Sequence, residues 1–174
     1  MTDLPWDPIA EARQNWREHG WEDAADGMAA ITSITRVHQL LMARIDAALK
    51  PHGVSFARFE MLRLLAFAQH GRLPMSRART LLQVHPASVT NIVDRLATDG
   101  LVHREAHPED GRSVVLVLTD AGARLVEQAT IDLNRDVFES PGFDSDEIAQ
   151  VTRVLAGFRE RAGDFRTATP PDPL

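Results

Sequence analysis

The sequence predicts a mainly α-helical fold with one small β-hairpin, an α+β class, and three observations carry that expectation. Apolar residues recur at three- and four-residue steps through most of the chain, as amphipathic helices require. One stretch breaks this pattern: residues 101–106 and 113–118 read as strands on either side of Asp110-Gly111, the strongest short signal for a hairpin turn. Breakers fall between the periodic segments, at Lys50-Pro51-His52-Gly53, Asp99-Gly100 and Ser140-Pro141-Gly142.

Taken in order, Ile31, Ile34, Val37, Leu40, Leu41, Ile45 and Leu49 share one face of a helix of about five turns. Ser55 is placed to cap a second helix, which carries Phe56, Phe59, Leu62, Leu65 and Phe67 and ends near Gly71. A short third helix over roughly 75–83 turns Ala78, Leu81 and Leu82 inward. The fourth has His85 at its N-cap and Pro86 at its first position, where a missing N–H costs nothing. Val89, Ile92, Val93 and Leu96 form its buried stripe, and Gly100 closes it in a left-handed conformation. After the hairpin, Thr119 or Asp120 caps a long helix with Leu125, Val126, Ala129, Leu133 and Val137. Asp144 and Glu147 have capping-box spacing for a last helix carrying Ile148, Val151, Leu155 and Phe158.

A length of 174 residues fits one domain with helical extensions, and 44% apolar with 25% charged residues is an ordinary globular balance. No run approaches the ~20 apolar residues that cross a bilayer, and the acidic start lacks the apolar core of a signal peptide. Cysteine is absent, which removes disulfides and thiolate ligands. The expected location is therefore the cytoplasm, with no membrane partner.

A net charge of −6 argues mildly against a nucleic-acid partner, but the charge is unevenly spread, which weakens that objection. Between Ser55 and Thr119 there are eight arginines against six acids, and the acidic excess lies at the two ends. Lys50 is the only lysine; the planar fork of arginine suits phosphates and base edges, and genome composition accounts for the same bias equally well.

Two short helices joined by a tight turn and followed by a hairpin is the order of a winged helix-turn-helix. The fourth helix then turns its small, hydrogen-bonding face outward, where a helix in the major groove meets base edges. Ser88, Thr90 and Asn91 are candidates for base contacts, and Arg95 for guanine or a phosphate. Pro86 and Ala87 open the helix, whose positive end suits a backbone phosphate. At the hairpin tip, Arg112 is placed to enter a narrow minor groove, with Asp110 orienting its guanidinium.

"SVTNIVDRLATDGLVHR" followed by "HPEDGRSVVLVLTDAG" resembles the MarR family of transcriptional regulators. The family's D-x-R wing motif falls on Asp110 and Arg112, its Leu-Thr on Leu118 and Thr119, and its glycine on Gly122. The helix order matches from about Ile31 to Ala162. This resemblance implies a homodimer on double-stranded DNA, its dimerisation layer built from both chain ends. The expected division is 1–52 for an N-terminal arm and dimerisation helix, 53–119 for the DNA-binding lobe, 120–165 for C-terminal dimerisation helices, and 166–174 for a disordered tail. Apolar stripes on the terminal helices, remote from the central module, support a partner surface independently.

The resemblance also implies a small effector, aromatic or carboxylated, held between the dimer layer and the DNA lobe. "IAEARQNWREHGW" is similar to the extra helix of the urate-responsive branch, whose tryptophan falls on Trp16 and whose acid falls on Glu60. That branch's recognition-helix arginine falls near Ile92, which cannot pair with an anion; this departure counts against urate itself and leaves an anionic or aromatic metabolite open. The candidate effector pocket is Trp16, His38, Met42, Phe56, Phe59, Glu60 and Arg63. The peroxide-sensing branch needs a cysteine, and the metal-sensing branch needs clustered ligands that seven scattered histidines do not supply. No metal or cofactor is expected. An enzyme is not expected either, since the chain has no glycine-rich phosphate loop, nucleophile elbow or paired-histidine motif. The reading is a repressor of a pseudo-palindromic operator; an activator or a low-specificity nucleoid-type protein stays open as the alternative.

Overall fold

The computed structural model describes residues 4–82, 86–106 and 113–166, with the backbone alone at Pro86 and Ala87. The expected His85 cap, the Asp110-Gly111 turn and the tail from 167 onward lie outside the described residues. The chain divides into two compact units, one up to Asp46 and one from Ala47 onward.

In the first unit the N-terminal arm is itself helical. Asp7 caps α1 (Pro8–Glu18) by accepting from the Ile9 amide, and Pro8 takes the first helical position. Helix α2 (Glu22–Leu49) begins at Glu22, well before the apolar stripe that starts at Ile31. Its first turns hold Ala24, Ala25, Ala29 and Ala30, whose intrinsic helix propensity extends the helix without a stripe. Arg13 and Arg17 of α1 both reach Asp26 of α2, at 2.7 and 3.0 Å.

In the second unit the end of α2 and a 3-10 turn, Lys50–His52, lead to α3 (Phe56–Phe67), which buries Phe59, Met61, Leu62 and Leu65. It ends earlier than the expected Gly71, because a separate 3-10 turn occupies Gln69–Gly71. Ser55 holds the N-cap position, but its side chain makes no cap hydrogen bond, contrary to expectation. A strand that the sequence does not signal follows, β1 (Arg72–Pro74), and then α4 (Met75–Leu81). Helix α5 (Pro86–Thr98) fully buries Val89, Val93 and Leu96, whereas Ile92 is only half-buried.

Gly100, at φ +70°, ends α5 in the left-handed region, with the Leu101 amide donating back to the Leu96 carbonyl. The hairpin strands are β2 (Val102–Ala106) and β3 (Val114–Leu118). The sheet is antiparallel with order β1-β3-β2, and the fully buried Leu116 pairs with Leu73 on one side and Arg104 on the other. Pro74 is tolerated because β1 is an edge strand.

Thr119 then caps α6 (Asp120–Leu133), accepting from the Gly122 amide at 3.0 Å and donating to the Gly100 carbonyl at 2.9 Å. One threonine thus ties the end of α5 to the start of α6. Helix α6 runs on as a π-helical segment, Asn134–Phe138. The predicted capping box is present: the Asp144 carboxylate accepts from the Glu147 amide and the Glu147 carboxylate from the Asp144 amide, opening α7 (Ser145–Arg161). Among the described residues no helix is long and apolar enough to cross a membrane, and no group of His, Asp and Glu is arranged to hold a metal.

Candidate functional site

Helix α5 is the centre of the site. Its buried side fixes its rotation: with Val89, Val93 and Leu96 locked into the core, Ser88, Thr90, Asn91, Asp94 and Arg95 must face outward, and all five are exposed. Two ion pairs hold the helix laterally. Arg58 of α3 donates to Asp99 just past its C-terminal end, and Arg104 of β2 donates to Asp94 in its third turn. The second pair joins the outward face of α5 to the hairpin that carries the expected wing arginine. Pro86 and Ala87 lie in the first turn of α5, and Asp110 and Arg112 lie outside the described residues.

The arginines of this lobe sort by whether an acid meets them. Arg58, Arg63, Arg72 and Arg104 are each within reach of a carboxylate, at Asp99, Glu127, Glu105 and Asp94 respectively. Hydrogen bonds from Arg72 and then His103 hold the Glu105 carboxyl below the usual glutamate range. Like Arg77 and Arg79, Arg95 has no such partner among the described residues. It lines an open groove of about 410 Å³ between the start of α3 and α5, together with Ser55, Arg58, Ser88 and Asn91.

A second cavity, about 280 Å³, lies against α3 and is walled by Phe56, Phe59, Glu60, Arg63, Phe67 and Phe138. Four of the seven expected effector residues therefore line one cavity. Phe56 and Phe59 stack with centroids 6.3 Å apart. Arg63 turns away from Glu60 toward α6: it donates to the Val126 carbonyl at 2.9 Å and to the Thr130 hydroxyl, and sits 5.3 Å over the Phe67 ring. Left without that cation and half-buried, Glu60 is pushed above the ordinary glutamate value by desolvation. The other three, Trp16, His38 and Met42, belong to the first unit, where Trp16 meets Trp21 edge-on with centroids 5.5 Å apart. Phe138 carries no sequence signal for this cavity; the π-helical segment delivers it from far along the chain.

Residues 55–114 match the sequence profile of the MarR family. The chain is 44% identical to Sco5413, a MarR family transcriptional regulator from Streptomyces coelicolor, with a TM-score of 0.72 over 82% of this chain and 99% of that one. The chain belongs to the MarR family. This MarR family chain is also 31% identical over 114 residues to the HTH-type transcriptional regulator YdgJ of Bacillus subtilis (strain 168), covering 65% of itself and 68% of that protein. It is 27% identical over 124 residues to the multiple antibiotic resistance protein MarR of Escherichia coli (strain K12), covering 70% of itself and 85% of that protein. A mutant of that protein, crystallised in complex with operator DNA, shares its fold at a TM-score of 0.70 and 24% identity, over 78% of this chain and 96% of that one. Other curated relatives are matched over about half of their own length, 46% to 55%.

Proposed function

We propose that this chain is a sequence-specific DNA-binding transcriptional regulator, a repressor that leaves a pseudo-palindromic operator when a small aromatic or anionic metabolite binds. The observation that carries the reading is the outward face of α5, with exposed Ser88, Thr90, Asn91 and Arg95 over a core that fixes the helix rotation. Serine, threonine and asparagine are short hydrogen-bonding groups that match base edges in the major groove, and the wing arginine Arg112, with Asp110, reaches the adjacent minor groove. Pro86 and Ala87 open the helix, whose positive N-terminal end suits a backbone phosphate. E. coli MarR, which has this fold, has been crystallised on its operator in mutant form.

The protein acts as a homodimer, in which residues 53–119 grip DNA while 1–52 and 120–165 form the paired layer. The exposed apolar stripes support this: Ile31 and Ile34 on α2, and Val151, Val154, Leu155 and Phe158 on α7. Two lobes then meet half-sites about one helical turn apart. The effector occupies the cavity against α3, its ring among Phe56, Phe59, Phe67 and Phe138 and its polar group toward Arg63 and Glu60.

Sequencing the DNA that co-purifies with the protein, followed by affinity measurement on the recovered and on random duplexes, tests the reading. A ratio of about 10³ or more supports a regulator, and a ratio near one indicates a nucleoid-type protein.

A further inference from the structure

We infer that the groove between the start of α3 and the outward face of α5 seats a phosphate, in the complex a backbone phosphate of the duplex that α5 reads, held by Ser55 and Arg95. The inference rests on the DNA-binding reading and extends it to a residue 33 positions before Ser88 in the chain. Three features of the groove carry it. The Ser55 hydroxyl is exposed and spends nothing on its own helix, since it makes no cap hydrogen bond. Arg95 meets no carboxylate among the described residues, and of the lobe's described arginines without one, Arg77, Arg79 and Arg95, it alone lines this groove. Among the described residues no acid lines the groove, and Ser88 and Asn91 add further donors to its wall.

Hydroxyl and amide donors around one uncompensated guanidinium, with no carboxylate, are complementary to a singly charged phosphodiester. Ser88 and Asn91 belong to this wall and to the outward face of α5, so a phosphate here is one flanking the bases that α5 meets. Arg95 thereby becomes a sequence-independent holder rather than a guanine reader, and Ser55 joins the interface beside it. Inorganic phosphate presents the same chemistry, so the test separates the two sources.

Ser55→Ala, Ser55→Asp and Arg95→Ala are made in the full chain and measured on the duplex recovered with the wild-type protein and on random duplex. Ser55→Ala should weaken both duplexes about 3- to 10-fold per lobe, leaving their ratio and the melting temperature unchanged, because no internal bond is lost. Ser55→Asp gives readouts of opposite sign. Aspartate is a strong N-cap, so the melting temperature holds or rises, while the added charge facing a phosphate cuts affinity beyond the alanine variant. Arg95→Ala should lower the slope of log affinity against log salt by about one per lobe. Wild-type affinity in the Ser55 variants overturns the assignment. So does an Arg95→Ala variant that keeps its salt slope and loses discrimination at one base pair. Titration of inorganic phosphate that binds the protein, with duplex affinity indifferent to both residues, assigns the groove to a free anion and overturns it as well. A wild-type protein that retains no duplex at all defeats the regulatory reading itself, an outcome visible before any variant is made.

Discussion

Gly122 packs in van der Waals contact with the Leu101 backbone, so that the first turn of α6 rests directly on the chain leaving α5. A Cβ at position 122 would fall 3.1 Å from the Leu101 carbonyl carbon, closer still to its oxygen, and 2.8 Å from Leu118 Cδ1. The opposing atoms are backbone and a packed side chain, so neither swings aside. Gly122→Ala should destabilise the protein by about 3 kcal/mol or more, in the manner of an overpacked core. Gly27, on α2 with nothing within 4 Å of its would-be Cβ, is the control: alanine there should stabilise by about 0.5–1 kcal/mol through helix propensity. Thermal or urea unfolding of the two variants checks both signs, and equal effects would remove the packing argument.

The contrast shows how much was legible in the sequence. Periodicity located α3, α5, α6 and α7, and local chemistry located the Asp144–Glu147 box and the Gly100 stop, because caps and turns depend on neighbours within five residues. Strand β1 was not legible: three residues ending in proline show no alternation, and the strand exists only because β3 offers it an edge. The start of α2 was missed for a related reason, since alanines make a helix without making a stripe. Within the site, the polar face of α5 could be read from spacing alone. The partners of the arginines could not, because Arg58 meets Asp99 41 residues on and Arg63 meets Thr130 67 residues on. Which arginines stay uncompensated is a property of the fold, and the Ser55–Arg95 groove follows from it.

Glu60 should give stability a pH dependence of unusual sign. Burial raises its folded pKa above the unfolded value, so between the two values the folded state binds more protons. Stability contributed by this group is therefore highest at acid pH and falls as pH rises through that window. Glu60→Gln should remove this slope and leave the protein more stable at neutral pH than the wild type. Urea midpoints measured from below the ordinary glutamate range up to neutrality decide the matter, and parallel curves for the two proteins would show that Glu60 is solvated after all.

Asn91 and Arg112 should differ in what they control. Asn91 is exposed on the outward face of α5, and in the proposed complex that face meets base edges, so Asn91→Ala should cost about 1–3 kcal/mol at one base pair and little elsewhere. Arg112→Ala should weaken binding chiefly for operators flanked by A·T sequence, where a narrow minor groove concentrates negative potential. Affinity measured across an operator library, with each flank and each core position varied, separates the two effects. Identical profiles for both variants would mean that neither element reads what its position implies.

Val154 and Phe158 present one apolar edge of α7 at 67% and 65% exposure, four residues apart on the same helix face. Leaving both in water forgoes burial worth about 1.5–3 kcal/mol for each large side chain. In a two-fold dimer each change counts twice, because the same patch is contributed by both copies. Val154→Glu with Phe158→Glu should therefore yield a single-chain species whose own fold is intact, since neither side chain belongs to the core of its chain. Affinity for a two-half-site operator should then fall about 10²- to 10⁴-fold, because the second lobe no longer binds at high effective concentration. Affinity for an isolated half-site should change little. Sedimentation velocity with both duplexes gives the answer: a dimer that persists in the double variant places the pairing surface away from this edge of α7.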